Sequence, residues 1–209
     1  MENRWRDDGA AACIARYADE HGEDLALRLY TSRLIGAERG LVLHGGGNTS
    51  LKGTRTDLLG EPAAALFIKA SGHDLADLEP EGLVAVELAG LGRLRALDAL
   101  SDRAMTAELR RNLFDPGAAT PSVETLVHAF LPDRFIDHSH ADAVLALTNQ
   151  SGGAAVVSRA LGPEVVVIPY VAPGFALSKA VAAAREARPE ARAMVWVQHG
   201  IMTWGETGR

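Results

Sequence analysis

Phe135-Ile-Asp-His-Ser-His140 puts two histidines two residues apart at the end of a short apolar run. Alternate side chains of an extended strand leave from the same face, so this spacing directs both imidazoles to one side. A second apolar run, Val195-Trp-Val-Gln-His-Gly200, ends in His199, and Pro121-Ser-Val-Glu124 brings a carboxylate that can work beside an ion. Three neutral imidazoles with one open position make up a ligand set of catalytic zinc, which makes His138, His140 and His199 candidate metal ligands and Glu124 a candidate acid/base. The competing reading of a His-x-His pair is two histidines hydrogen-bonded at a strand end.

Working outward, a chain of 209 residues is most simply one domain. At that size it buries roughly 70% of its unfolded surface, so it folds without a disulfide or a structural metal, and a metal site is expected to serve chemistry. Cys13 is the single cysteine; it excludes an intrachain disulfide and reads as a small buried hydrophobe. Residues 1–8 are charged and lack the apolar core of a signal peptide. No run reaches the roughly 18 apolar residues of a membrane span, so the expectation is a cytoplasmic protein with no membrane partner. The net charge is −6, from 27 acidic and 21 dispersed basic residues, which argues against nucleic acid. A small anionic substrate must then be held by local devices, because the overall field repels it.

Residues 9–36 carry apolar positions at three- and four-residue spacings, with His21-Gly22 as a break between two helices. Leu41-Val-Leu-His-Gly-Gly-Gly-Asn-Thr-Ser-Leu-Lys52 reads as strand, glycine turn, strand. Such a turn either lets backbone approach a ligand or simply closes a hairpin. It lacks the Walker lysine and the dinucleotide glycine spacing, so no nucleotide site follows from it. Strands are predicted over 64–70 and 83–88, with Ser71-Gly72 in a turn after the first. Met105, Leu109 and Leu113 recur at helical spacing. Thr120 is the expected N-cap of a helix with Pro121 at its first position, which sets Ser122, Val123 and Glu124 in the first turn, where free N–H groups bind anions. The alternative for Glu124 there is an acid that complements the helix dipole. His128 shares its face as a structural neighbour. Helices through 144–147 and 156–160, a strand at 165–168, a turn at 169–174, a helix over 175–187 and a strand at 193–197 complete an α/β pattern. Lys52 and Lys69 are available to add positive charge, and His21, His44 and His73 receive no role.

Six motifs in order, Gly46-Gly-Asn-Thr-Ser50, Ala70-Ser-Gly72, Pro121-Ser-Val-Glu124, His138-Ser-His140, Pro169-Tyr170 and Gln198-His-Gly200, resemble the class II aldolase/adducin family. The wording is most similar to the aldolase part of bifunctional rhamnulose-1-phosphate aldolase/short-chain dehydrogenase proteins. The resemblance implies a single-domain α/β/α sandwich with a central, mainly antiparallel sheet. It also implies one Zn²⁺ per chain on His138, His140 and His199, with Glu124 as acid/base. Asn48, Ser71, Gly72, Ser122 and Val123 correspond to the positions that grip a substrate phosphate, and Tyr170 to a tyrosine that donates a proton at a neighbouring subunit's site. A homotetramer acting on a small phosphorylated sugar is the implied assembly, and family domains extend through a further helix and tail beyond the position of Arg209.

Other chemistries compete for the same residues. Epimerases, decarboxylases and dehydratases share the metal triad. His138-Ser-His-Ala-Asp142 also spells the His-x-His-x-Asp of di-zinc hydrolases, although Ala143 stands where those carry another histidine. A non-catalytic adducin-like module is expected to lose metal ligands, and this chain keeps all three.

Overall fold

The computed structural model describes residues 2–209. Seven strands form one sheet in the order β3-β2-β1-β4-β7-β6-β5: β1 Asn48–Thr56, β2 Pro62–Lys69, β3 Leu83–Glu87, β4 Phe135–Ser139, β5 Val165–Ile168, β6 Ala193–Trp196 and β7 Gly200–Gly205. Neighbours are antiparallel except β5 and β6, which run parallel. Eight helices flank it among the described residues: α1 Asp7–His21, α2 Glu23–Gly36, α3 Leu88–Leu94, α4 Asp102–Arg111, α5 Thr125–Phe130, α6 Asp142–Thr148, α7 Gly153–Leu161 and α8 Phe175–Ala187. None of these is long and apolar enough to cross a membrane.

The period-two alternation of the strands sorts the helices into two layers. On one face, Leu51 and Phe135 pack with Cys13, Tyr17 and Leu29 of α1 and α2. Further along that face, Val195 packs with Val144 and Val157 of α6 and α7. On the other face, Leu66, Ile68, Val84 and Val86 pack with Met105, Leu109 and Leu126, while Ile136, Met194, Trp196 and Met202 meet Leu177 and Val181 of α8. This is the expected α/β/α sandwich. Each fully buried aliphatic or aromatic side chain among them contributes about 1.5–3 kcal/mol. Cys13 is buried with its thiol 3.1 Å from the Ala26 carbonyl.

The site strand β4 is fixed from both sides. Its register pairs Asn48 with His138 and Ser50 with Ile136 across β1, and His138 with Met202 across β7. From α2, the fully buried Arg28 guanidinium lies 2.6 Å from Asp137 Oδ1. Asp137 is odd-numbered like Phe135 and therefore faces α2, which turns His138 to the opposite layer.

Two expectations need correction. Residues 41–43 are not a strand: the Leu41 and Val42 amides bond back to the Glu38 carbonyl, so the segment is a turn that follows α2. The helix expected from Pro121 begins at Thr125. Pro121 instead bridges Ala70, with the Ser71 amide on the Thr120 carbonyl and the Ser122 amide on the Lys69 carbonyl; pairing to the end of β2 keeps this segment extended. Residues 200–205, given no element from sequence, return as β7 beside β4.

Candidate metal centre

The His138, His140 and His199 side chains converge from two places. His138 lies in β4 and His140 just past its end, while His199 occupies the turn joining β6 to β7. Their ligand atoms lie within 4.8 Å of one another, and the ring centroids are 4.9 to 5.4 Å apart. Gln198 takes the left-handed backbone conformation, φ 61°, which tightens the turn and carries His199 back over β4. The His138 Nδ1 donates to the Ile201 carbonyl at 3.1 Å, so Nε2 holds the free lone pair. Trp196 stacks on the same ring at 4.5 Å between centroids.

Two buried ring nitrogens, His138 Nε2 and His199 Nδ1, have no hydrogen-bond partner. Buried unpaired polar atoms are costly, and an imidazole lone pair without a donor is suited to a cation. Burial pushes His138 down to about 4 and lowers His140 as well, so both rings are neutral, the form that binds metal. The donor set therefore fits a divalent ion. Asp142, the acid of the hydrolase reading, is exposed at the start of α6 and lies outside the cluster.

Glu124, the residue before α5, is buried beside the imidazoles: its Oε1 lies 3.0 Å from His199 Nε2 and its Oε2 3.5 Å from His138 Nε2. Burial alone would raise its carboxyl. The facing His138 and His199 imidazoles and the Asn48 amide outweigh that and hold it below the ordinary carboxylate range. The Asn48 Nδ2 donates to Glu124 Oε2 at 2.6 Å and approaches Ser122 Oγ at 3.3 Å.

The candidate phosphate-binding residues lie on neighbouring segments. Ser71 and Gly72 are exposed in the turn after β2, and a Cβ on Gly45 would sit 3.7 Å from Gly72 Cα, so the glycine turn and this turn are adjacent. Ser122 is buried and the Val123 side chain exposed. Lys69 is buried, and its Nζ donates to the carbonyls of Gly45 at 3.0 Å and His73 at 2.7 Å; it ties the two turns together. Lys52 instead holds the Leu131 and Asp133 carbonyls, away from the imidazoles. Tyr170 is exposed between β5 and α8, and no hydrogen bond among the described residues joins it to the cluster.

Trp196 was not singled out from sequence, and His128 was read only as a structural neighbour of Glu124. Trp196 left one signal, its position three residues before His199 in a buried strand. His128 left another, a spacing of four from Glu124; its ring is fully buried between Ser50 and Asn48.

The family model for the class II aldolase and adducin N-terminal domain matches residues 27–209. The N-terminal class II aldolase domain of a conserved protein from Thermoplasma acidophilum is 36% identical with a TM-score of 0.87, covering 100% of this chain and 91% of that one. L-fuculose-1-phosphate aldolase from Thermus thermophilus shares the fold at 24% identity and a TM-score of 0.51, covering 87% of this chain and 81% of that one. An uncharacterized oxidoreductase of Bacillus subtilis (strain 168), YuxG, is 37% identical over 179 residues, which are 86% of this chain and 26% of that protein. This chain thus spans about a quarter of that relative's length. The span matched by the family model includes Glu124 and the three histidines, and the chain belongs to the class II aldolase and adducin N-terminal domain family.

Proposed function

We propose that this chain is a zinc-dependent aldolase domain. By the wording of its motifs it cleaves L-rhamnulose 1-phosphate to dihydroxyacetone phosphate and lactaldehyde. The observation that carries the reading is the buried Glu124 carboxylate set 3.0 Å from His199 and 3.5 Å from His138, a base lodged against the imidazole cluster. His138, His140 and His199 hold one divalent ion. What zinc supplies there is Lewis-acid stabilisation of the negative charge that develops on the substrate's carbonyl end.

The chain's own groups move the protons. In the synthetic direction Glu124 takes a proton from the carbon next to the carbonyl of dihydroxyacetone phosphate. That carbon then bonds to the aldehyde carbon, and Tyr170 gives its proton to the aldehyde oxygen as it becomes a hydroxyl. Cleavage runs the same steps backwards. The surface position of Tyr170 supports service at a neighbouring subunit's site in a homotetramer. Asn48, Ser71, Gly72, Ser122 and Val123 hold the phosphate; the adjacency of their turns supports this, and backbone N–H groups in such turns bind anions well. We assign the oxidoreductase chemistry in the name of YuxG to the part of that protein outside the match, since the glycines here lack dinucleotide spacing. A cytoplasmic location goes with a phosphosugar substrate.

The test is metal content together with dihydroxyacetone phosphate release from L-rhamnulose 1-phosphate, with and without a chelator. Zinc near one per chain and chelator-sensitive release is the expected result. Zinc without release moves the reading to an epimerase, decarboxylase or dehydratase, or to a non-catalytic module, and protein without metal ends it.

A further inference from the structure

Beside the metal centre, four side chains from β1, α5 and the residue before α5 form a buried line: Ser50, His128, Asn48 and Glu124. The Ser50 Oγ lies 2.7 Å from His128 Nδ1, His128 Nε2 lies 2.5 Å from Asn48 Oδ1, and Asn48 Nδ2 lies 2.6 Å from Glu124 Oε2. All four residues are buried. Ser50 and Asn48 are two apart on β1 and so share the face that α5 covers; α5 carries His128.

Only one order of protons satisfies the line. An ionised carboxylate accepts hydrogen bonds and donates none, so the group facing Glu124 must be the Asn48 NH₂. Rotating the amide by half a turn would set two acceptors 2.6 Å apart. With Nδ2 committed to Glu124, Oδ1 faces His128 and can only accept, so His128 Nε2 carries the hydrogen. The Nδ1 lone pair then accepts from the Ser50 hydroxyl. An imidazole in this tautomer is a fixed stop against which the amide cannot flip.

We propose that His128 is a positioning residue for proton transfer. Held by Ser50, its Nε2–H locks the Asn48 amide with Nδ2 on Glu124, so that the carboxylate keeps one oxygen anchored while the other faces the imidazole cluster. The inference rests on the reading of Glu124 as the acid/base. It assigns work to a histidine that neither binds metal nor touches substrate. Burial pushes His128 down to about 3, which keeps the ring neutral; the hydrogen-bond partners alone select the tautomer.

The first test needs no activity. A long-range proton–nitrogen NMR spectrum of the wild-type chain, with histidine nitrogens labelled and the His128 signals assigned by their loss in H128Q, is expected to show the Nε2–H tautomer at neutral pH. An Nδ1–H tautomer or an imidazolium overturns the proposal, whether or not H128L folds. The second test is kinetic. H128L, which has no donor, is expected to lose about tenfold or more in kcat with KM and metal content within about twofold, and H128Q, whose amide can replace the Nε2–H, to recover most of it. S50A, which removes only the hydroxyl, is expected to lose kcat to a smaller degree. Equal impairment of H128L and H128Q, or a loss confined to KM or metal content, marks a packing role and overturns the proposal. Absence of dihydroxyacetone phosphate release by the wild type instead sinks the aldolase reading, and the tautomer spectrum still decides the relay.

Discussion

Gly200 and Ser139 are in backbone contact across the β4–β7 pair: a Cβ built on Gly200 would lie 2.3 Å from the Ser139 carbonyl oxygen and 3.0 Å from His138 Cε1. No side chain fits without separating the strand that carries His138 from the turn that carries His199. Gly200→Ala is therefore expected to weaken both the fold and the cluster. Overpacking of this kind costs about 1–3 kcal/mol or more, so the melting temperature should fall and metal stoichiometry should drop well below that of the wild type. A variant with unchanged melting and full metal content would contradict the contact.

Glu124→Gln keeps the shape of the side chain and the partners of its amide oxygen but removes the base. Because the candidate metal donors are His138, His140 and His199 and not Glu124, bound metal is expected to stay near the wild-type level. Cleavage should fall by about 10² to 10⁴, the usual worth of a positioned acid/base. Steady-state kinetics beside metal analysis checks this, and near-normal turnover removes Glu124 from the mechanism.

Acid should destabilise the metal-free protein earlier than carboxylate protonation alone would. His128 and His138 are held neutral by burial, at about 3 and about 4 against an ordinary 6.5. Their folded values lie below the unfolded one, so between pH 6.5 and 4 the unfolded chain takes up protons that the folded chain refuses, and stability falls as pH falls. At pH 5 each contributes a loss of about 2 kcal/mol. Thermal melts of chelated protein should drop steadily from pH 7 to pH 5; a flat profile would mean that these rings are protonated in the fold.

Lys69→Met retains the length and removes the three N–H donors. The Gly45 and His73 carbonyls that Lys69 bonds would lose their shared partner, at about 1–3 kcal/mol for each group left buried and unsatisfied. With the two turns no longer tied, KM for the phosphorylated substrate is expected to rise by about tenfold or more, with a smaller change in kcat. A changed kcat at constant KM would assign Lys69 to the chemistry instead.

Residues 135–140 were readable because the two-residue repeat of a strand is local geometry: any extended backbone puts His138 and His140 on one side. For the same reason α8 matches its predicted span at Phe175–Ala187, and Val165–Ile168 forms β5 as its β-branched run requires. The turn residues Gly45 to Gly47 and Gly72 were legible too, and the structure brings them together. Where prediction failed, a distant partner decided. Thr120 and Pro121 have the composition of a helix start, yet the edge of β2 captures their backbone first. Residues 41–43 have strand composition, yet the Leu41 and Val42 amides are taken by the Glu38 carbonyl in the turn after α2. β7 depends on pairing with a strand more than 60 residues away, since His138 Nδ1 meets the Ile201 carbonyl at a separation of 63.

The amino-acid sequence by itself determined the ingredients: three histidines, one carboxylate and the glycine turns, in an order and with spacings that name a metal centre. Tertiary structure alone decided how they are used. It left His138 Nε2 free by giving Nδ1 to Ile201, lodged Glu124 against two imidazoles, and joined His128 to Asn48 across 80 residues. Spacing along one strand is set by backbone geometry, whereas which nitrogen is protonated and which carboxylate is anchored depend on register between strands, and register is settled only when both faces of the sheet are packed.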